Sequence, residues 1–253
     1  MPDGDIEELA RLVQCASNAV VFTGAGISTD AGIPDFRSPG GFWTRHKPIA
    51  FSDFMASAEA RLEAWRRFLM IHEIISAAAP GPGHRAVAEL VARGHVSCVI
   101  TQNIDGLDAA AGVPTDRIIE IHGSGTHAKC LDCGVRHEIS WVRGILAEAQ
   151  APPACMRCGG IVKSATVSFG QAMPEHEMAA ARAATLKADL FLAIGSSLQV
   201  FPAAGLPVLA SHNRTPLVII NREETGLDGL AQLVVRGEIS AVLEKLMQRL
   251  AAE

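Results

Sequence analysis

Six short segments of this chain are apolar at nearly every position: AVVFT (19–23), VSCVI (96–100), RIIEI (117–121), LFLAI (190–194), LVII (217–220) and LVV (233–235). A strand with one wet face alternates apolar and polar residues. A strand that is apolar throughout is covered on both faces, as in a parallel sheet sandwiched between helices. Helical patterns fall between these runs. Ile6, Leu9, Ala10 and Val13 keep the i, i+3, i+4, i+7 spacing that predicts an amphipathic helix over 5–16. HRAVAELVARG (84–94), PEHEMAAARAATLKA (174–188) and the terminal SAVLEKLMQRLAAE continue the alternation. The expected fold is α/β, a Rossmann-like doubly wound parallel sheet.

Two stretches interrupt the alternation. Residues 38–80 form an insertion with a helical centre, SAEARLEAWRRFLMIHEIISAAA, and residues 124–168 carry four paired cysteines. The expected organisation is a Rossmann-like domain over 1–37, 81–123 and 169–253, a helical insertion over 38–80 and a cysteine-bearing module over 124–168. A length of 253 residues suits one large domain with a small satellite.

Charge and termini narrow the class. The net charge is −5 and no basic block occurs, so no direct nucleic-acid partner is expected. MPDGDIEELARL is acidic, unlike a signal peptide, and no apolar stretch has membrane-spanning length. A soluble, cytoplasmic protein without a membrane partner is expected. The sequence leaves the oligomeric state open.

Cys130-x2-Cys133 and Cys155-x2-Cys158 each place two thiolates on one turn. Together they make a tetrahedral four-sulfur set suited to structural zinc, with no open position for catalysis. Reduced thiols or a redox pair are the alternative. Cys15 and Cys98 sit in apolar segments and read as core.

The first strand ends at GAG. Gly24 and Gly26 there let the backbone approach a ligand, and N–H groups at the next helical start favour a phosphate. A tight turn that binds nothing is the plainer alternative. The dehydrogenase fingerprint then fails, because its third glycine falls on Thr29 and no acid-tipped second strand follows. Asp35, Phe36 and Arg37 put an acid, an aromatic and a cation on a Pro/Gly-rich loop, a setting that suits ligand contact better than a core role. The second strand ends in TQNIDGLD, which presents Gln102, Asn103 and Asp105 in succession. One turn needs fewer polar side chains, so a ligand is implied. Among nine histidines, His72, His84, His176 and His212 read as surface or capping residues. His127 and His137 lie near the cysteines and could orient them. His122 directly follows a strand, at the end where open α/β sheets place ligands. It reads either as a general acid/base, suited by an ordinary imidazole pKa near 6.5, or as a hydrogen-bonded structural residue.

GAGISTDAGIPDFR, TQNIDGLD, IEIHGS, the paired CxxC motifs, VSFG, GSSLQVFPAA and VIINRE occur in the order found in sirtuins. From about residue 15 to the C-terminus the chain resembles these NAD-dependent protein-lysine deacylases. The resemblance implies the following roles. Gly24, Ala25 and Gly26 lie against the NAD phosphates. Asp35, Phe36 and Arg37 belong to a cofactor-binding loop, with Phe36 shielding the reactive sugar. Gln102, Asn103, Ile104 and Asp105 line the nicotinamide pocket, His122 is the general base, and Asn103 shares in catalysis. Gly195, Ser196 and Ser197 hold phosphate. Asn221, Arg222 and Glu223 border the adenosine ribose, and Ile239 lies near adenine. Val167, Phe169 and Gly170 form an edge that pairs with an acyl-lysine peptide as an added strand. NAD is then a consumed cosubstrate and zinc is structural. The implied products are nicotinamide, O-acyl-ADP-ribose and free lysine.

Four departures from the family pattern bear on substrate choice. Members preferring acidic acyl groups carry a Tyr-x-x-Arg pair in the insertion. This chain has no tyrosine and offers Trp65 and Phe68 instead, so a neutral acyl group is expected, although Arg66 or Arg67 could supply a cation. Gln171 stands where the family has Glu, which should alter peptide preference. Asp108 stands where it usually has His, behind the pocket. KSATVSFG lacks the proline common before the substrate strand. A protein mono-ADP-ribosyltransferase and a non-catalytic NAD or ADP-ribose sensor are the alternative functions.

Overall fold

The computed structural model describes residues 3–35 and 47–251. Six parallel strands form the main sheet: β1 (Ala19–Thr23), β2 (Val96–Thr101), β3 (Ile118–Glu120), β7 (Leu190–Ile194), β8 (Leu217–Ile220) and β9 (Leu233–Val235), in the spatial order β3-β2-β1-β7-β8-β9. Chain order therefore reverses between β1 and β7, and the C-terminal ends of those two strands open a crevice. RIIEI contributes only Ile118–Glu120 to the sheet, so Ile121 separates the strand from His122.

Every residue of β1, β7 and β8 is buried, as the apolar runs require. Side chains alternate between two cores. Ala19, Val21, Leu190, Leu192, Val218 and Ile220 face a layer built from α1 (Asp3–Cys15), α4 (Pro82–Ala92) and α9 (Ile239–Ala251). Val20, Phe22, Phe191, Ala193, Leu217 and Ile219 face α7 (Glu175–Lys187) and α8 (Gly205–His212). Phe22 and Phe191 pack there in a tilted pair with ring centroids 5.8 Å apart. Ile6, Leu9, Ala10 and Val13 are all buried on α1. Cys15 is exposed rather than core, because it ends the helix two residues past Val13 and off that stripe. Cys98 is half-buried, and burial pushes its thiol up to about 11.

The two interruptions form a second body. The insertion contains α2 (Phe51–Ala56) and α3 (Ala58–Ala77). The cysteine-bearing stretch folds as a three-stranded antiparallel sheet, ordered β5 (Arg136–His137), β4 (Gly123–Cys130), β6 (Val162–Thr166), with α6 (Ile139–Ala149) packed on it. The helix was not anticipated, although Ile139, Val142 and Leu146 carry its period; Gly144 and two flanking CxxC turns mask it. Trp65 of α3 inserts among Ala128, Cys130, Ile139, Val142, Cys155 and Val162, so insertion and module share one core. No helix among the described residues is long and apolar enough to cross a membrane.

At the crevice the loops after β1 and β7 touch through backbone. Gly24 N–H donates to Ile194 O at 3.0 Å and Gly26 N–H to Gly195 O at 2.8 Å. A Cβ on Gly24 would lie 2.7 Å from Gly195 O, and one on Gly195 would lie 2.6 Å from Ile27 N, with φ already at +66°. These glycines serve the approach of two loops to each other, through the N–H groups of Gly24 and Gly26. Gly195→Ala combines left-handed strain with overpacking and is expected to lower stability by about 2–4 kcal/mol. Gly205→Ala, with nothing within 4 Å of its new methyl, is the control. Denaturant unfolding of both variants measures the difference, and equal midpoints would sink the argument.

Candidate active site

The crevice widens into a cavity of about 590 Å3 lined by both bodies. Its walls include Gly24, Ala25, Gly26 and Asp35 after β1, and Gln102, Asn103, Ile104 and Asp105 after β2. His122 stands beyond β3, Gly195, Ser196 and Ser197 beyond β7, and Asn221, Arg222 and Glu223 beyond β8. Ile239 closes the far end, while Val167, Phe169 and Gly170 enter from the edge of β6. Phe36 and Arg37 lie outside the described residues. Everything else expected at the site from the sequence faces this one space.

The geometry assigns the proton on His122. Nδ1 lies 2.9 Å from the carbonyl oxygen of Gln102. A carbonyl only accepts, so Nδ1 carries the hydrogen and the neutral ring keeps its lone pair on Nε2. The backbone of His122 is held as well, since its carbonyl accepts from Val167 N–H at 2.8 Å. Gln102 is fixed in turn: its side-chain amide donates to Thr23 O at 3.1 Å and to Ser196 Oγ at 2.9 Å, bridging the ends of β1 and β7.

Behind this lies a buried polar chain. Gly81 N–H donates to His84 Nδ1 at 3.2 Å, so His84 carries its hydrogen on Nε2. That nitrogen faces Ser28 Oγ at 3.3 Å, and the Ser28 hydroxyl donates to Asp105 Oδ2 at 2.7 Å. Asn103 Nδ2 adds a bond to Ser28 Oγ at 3.3 Å and another to Gly24 O at 3.1 Å. Burial holds the His84 imidazole below its usual pKa and so favours the neutral ring. His84 does cap α4, as its position suggests, but it is fully buried rather than at the surface. Ser28 and His84 were missed as site residues. The cue was available, because Ser28 lies two residues past GAG and His84 opens a helix after PGPG.

Asp108 is buried behind this chain at 3% exposure, and its Oδ1 finds no hydrogen-bond partner. Burial, then the neighbouring charge of Asp105, pushes its carboxyl up to about 7 against a lowering bond from Thr101. The Arg67 guanidinium is engaged by Glu63 at 2.7 Å and by the Lys47 carbonyl. Trp65 is 2% exposed, with its indole N–H on Val162 O at 3.2 Å, and Phe68 meets it edge-on at 5.5 Å. Both rings are packing residues whose other side walls the cavity.

The four cysteine sulfurs all lie within 4.8 Å of one another. Cys130 and Cys158 approach to 3.5 Å and Cys133 and Cys155 to 3.7 Å. Tetrahedral zinc with bonds of about 2.3 Å requires sulfurs about 3.8 Å apart, so the set fits the ion. Arg157 N–H also points at Cys155 Sγ at 3.4 Å, supporting its charge. His137 is buried and stacked on Trp141 at 4.6 Å, outside this four-sulfur set.

Fold and site define a doubly wound dinucleotide-binding protein with a zinc-stapled lobe. The chain belongs to the Sir2 family, whose model matches residues 24–202. It is 51% identical to "NAD-dependent protein deacetylase 1" of Bradyrhizobium diazoefficiens over 94% of this chain and 93% of that protein. It is 49% identical to "NAD-dependent protein deacetylase" of Rhodopseudomonas palustris over 94% of both. A solved structure described as "Sir2-p53 peptide-NAD+" superposes with a TM-score of 0.87 at 30% identity, covering 98% of this chain and 99% of that one.

Two outcomes are expected from this geometry. Cys155→Ser should lose the zinc and, with it, the binding free energy of about 10 kcal/mol or more that such ions give their folds. Metal analysis and thermal unfolding check this, with Cys98→Ser as control; full metal content in Cys155→Ser would refute the site. For Asp108, the folded protein retains a proton that the unfolded chain releases above about pH 4. Stability therefore falls between about pH 4 and pH 7, by up to about 1.4 kcal/mol per unit, and the penalty is complete above that. Asp108→Asn removes it, so its advantage in Tm over the native chain should grow between pH 5 and pH 8. Parallel curves would contradict the assignment.

Proposed function

We propose that this chain is an NAD-dependent protein-lysine deacylase acting on neutral acyl groups, acetyl foremost. The observation that carries the proposal is His122: its tautomer leaves a basic Nε2 in a cavity shared by the ends of β1, β2 and β7 and by the edge of β6. NAD supplies an electrophilic ribose carbon with nicotinamide as the leaving group.

The chain's own residues then have defined tasks. Gly24, Ala25 and Gly26 with Gly195, Ser196 and Ser197 hold the phosphates where the two loops meet. Asn221, Arg222, Glu223 and Ile239 hold the adenosine end. Gln102, Asn103, Ile104 and Asp105 line the nicotinamide end, and Asp35, Phe36 and Arg37 form the loop that covers it and excludes water. His122 Nε2 takes the proton from a hydroxyl, and the Gln102 carbonyl stabilises the resulting imidazolium through Nδ1–H. Val167, Phe169 and Gly170 present the acyl-lysine peptide. Trp65 and Phe68 wall the acyl space, and Arg67 beside them is already paired with Glu63, which favours a neutral acyl group.

The proposed division places the dinucleotide domain at 1–37, 81–123 and 169–253, the helical insertion at 38–80 and the zinc module at 124–168. The substrates are acyl-lysine proteins or peptides. The proposal includes a cytoplasmic setting, in keeping with cysteines that form no disulfide among the described residues.

Incubation with NAD and an acetylated peptide, followed by mass analysis, tests the reading. O-acetyl-ADP-ribose and deacetylated peptide are expected, with acetyl and propionyl accepted and succinyl refused. ADP-ribose on protein would instead indicate the transferase, and unchanged NAD the sensor. His122→Ala should lower kcat by about 100-fold or more while NAD binding persists. Undiminished turnover in that variant would remove His122 from the mechanism.

A further inference from the structure

Lys163 is the buried cation that none of the foregoing uses. It lies on β6 at 3% exposure and lines the cavity. Among the described residues no carboxylate pairs with it. Its amine donates instead to two backbone carbonyls, those of Ser164, at 3.3 Å, and Thr166. Ser164 and Thr166 are two apart on an edge strand, so their carbonyls share one side and a single ammonium reaches both. Burial lowers this amine to about 8, so its position is sustained by those bonds rather than by solvent.

The Thr166 carbonyl belongs to the same peptide unit as the Val167 N–H. A peptide unit is planar, so anchoring its oxygen fixes the direction of its N–H. That N–H donates to the His122 carbonyl at 2.8 Å, and the His122 ring is held from its other side by Gln102. An unbroken path therefore runs from the Lys163 ammonium through the Thr166–Val167 peptide to the His122 backbone.

We infer that Lys163 is a positioning residue for His122, acting through the Thr166–Val167 peptide unit. The inference rests on the reading of His122 as the base. It accounts for a lysine buried without a counter-ion: two carbonyls at the end of an edge strand need a donor, and the strand must end at a set angle to present Val167. A lysine serving the fold alone would solvate its own strand without affecting the imidazole.

The test uses K163M and K163R in the full-length zinc-loaded protein. The His122 ring resonances are followed by NMR, and kcat and KM are measured with acetylated peptide and NAD. K163M is expected to shift those resonances and to lower kcat by about ten- to a hundred-fold, while KM for NAD changes less than about three-fold. K163R, which keeps the donors, should recover most of the rate. If K163M does not fold, K163Q takes its place with the same readouts. A folded variant with unmoved His122 resonances and full kcat overturns the inference, as does a loss of Tm alone. Failure of the native chain to produce O-acetyl-ADP-ribose would refute the deacylase reading instead, and the NMR comparison would still decide the role of Lys163.

Discussion

The approach of the β1 and β7 loops at the point where strand order reverses is the constraint on which the site depends. Two backbone bonds, Gly24 to Ile194 and Gly26 to Gly195, close that seam with no side chain between them. Gln102 then crosses it, tying Thr23 to Ser196. A seam closed this tightly leaves the crevice one direction in which to open, toward the insertion and the cysteine module. The same contact places Ser196, Gln102 and Asn103 within reach of one ligand, although they arrive from strands far apart in sequence.

The second body acts on the site through strand ends rather than through loops. Four sulfurs pin β4 and the turn before β6, and Trp65 locks α3 onto the same core. β6 then delivers Thr166 and Val167 to His122. The four-sulfur set is remote from His122, yet the ladder it stabilises continues into Val167, which holds the His122 carbonyl. Catalytic geometry of this kind tolerates little slack, because small displacements of a reacting group cost large factors in rate. A lobe of this size has too little apolar core to be stiff on its own, and the ion makes up the difference.

Much of this was legible in the sequence, for identifiable reasons. Strands buried on both faces are written as unbroken apolar runs, so all six strands of the main sheet were found with their ends displaced by at most one residue, while the three of the small sheet were not. The cysteine pairs state their geometry directly. Local patterns could not report on groups whose role is set by tertiary contact. His84 reads as an ordinary helix-start residue until Ser28 and Asp105 come round to meet it. Cys15 looks apolar in its segment but falls off the buried stripe. The glycines of GAG were anticipated for a ligand, whereas their nearest demand is the other loop. Lys163 looks like a strand-surface lysine, and only the fold shows that it is buried in the cavity wall.

The departures from the family pattern spare one line of atoms, the one running from Gln102 through the His122 ring and backbone to Val167. Asp108 sits behind that line, where burial and Asp105 together favour its neutral form. Two adjacent carboxyls can share a buried corner when one of them keeps its proton. A histidine in that place would bring the opposite tendency, since burial favours the neutral base and proximity to Asp105 favours the cation. Gln171, at the other end, accepts from Ser168 N–H through its side-chain oxygen at 3.1 Å and gives its own N–H to Ser168 O at 3.0 Å. A carboxylate could make the same acceptor bond, so the exchange of Glu for Gln leaves the loop folded and removes only charge. Both replacements change the charge near the cavity and touch neither bond made to His122. Asp108 and Gln171 thus alter charge while the two bonds made directly to His122, from its ring to the Gln102 carbonyl and from Val167 N–H to its own carbonyl, engage main-chain groups that neither replacement removes.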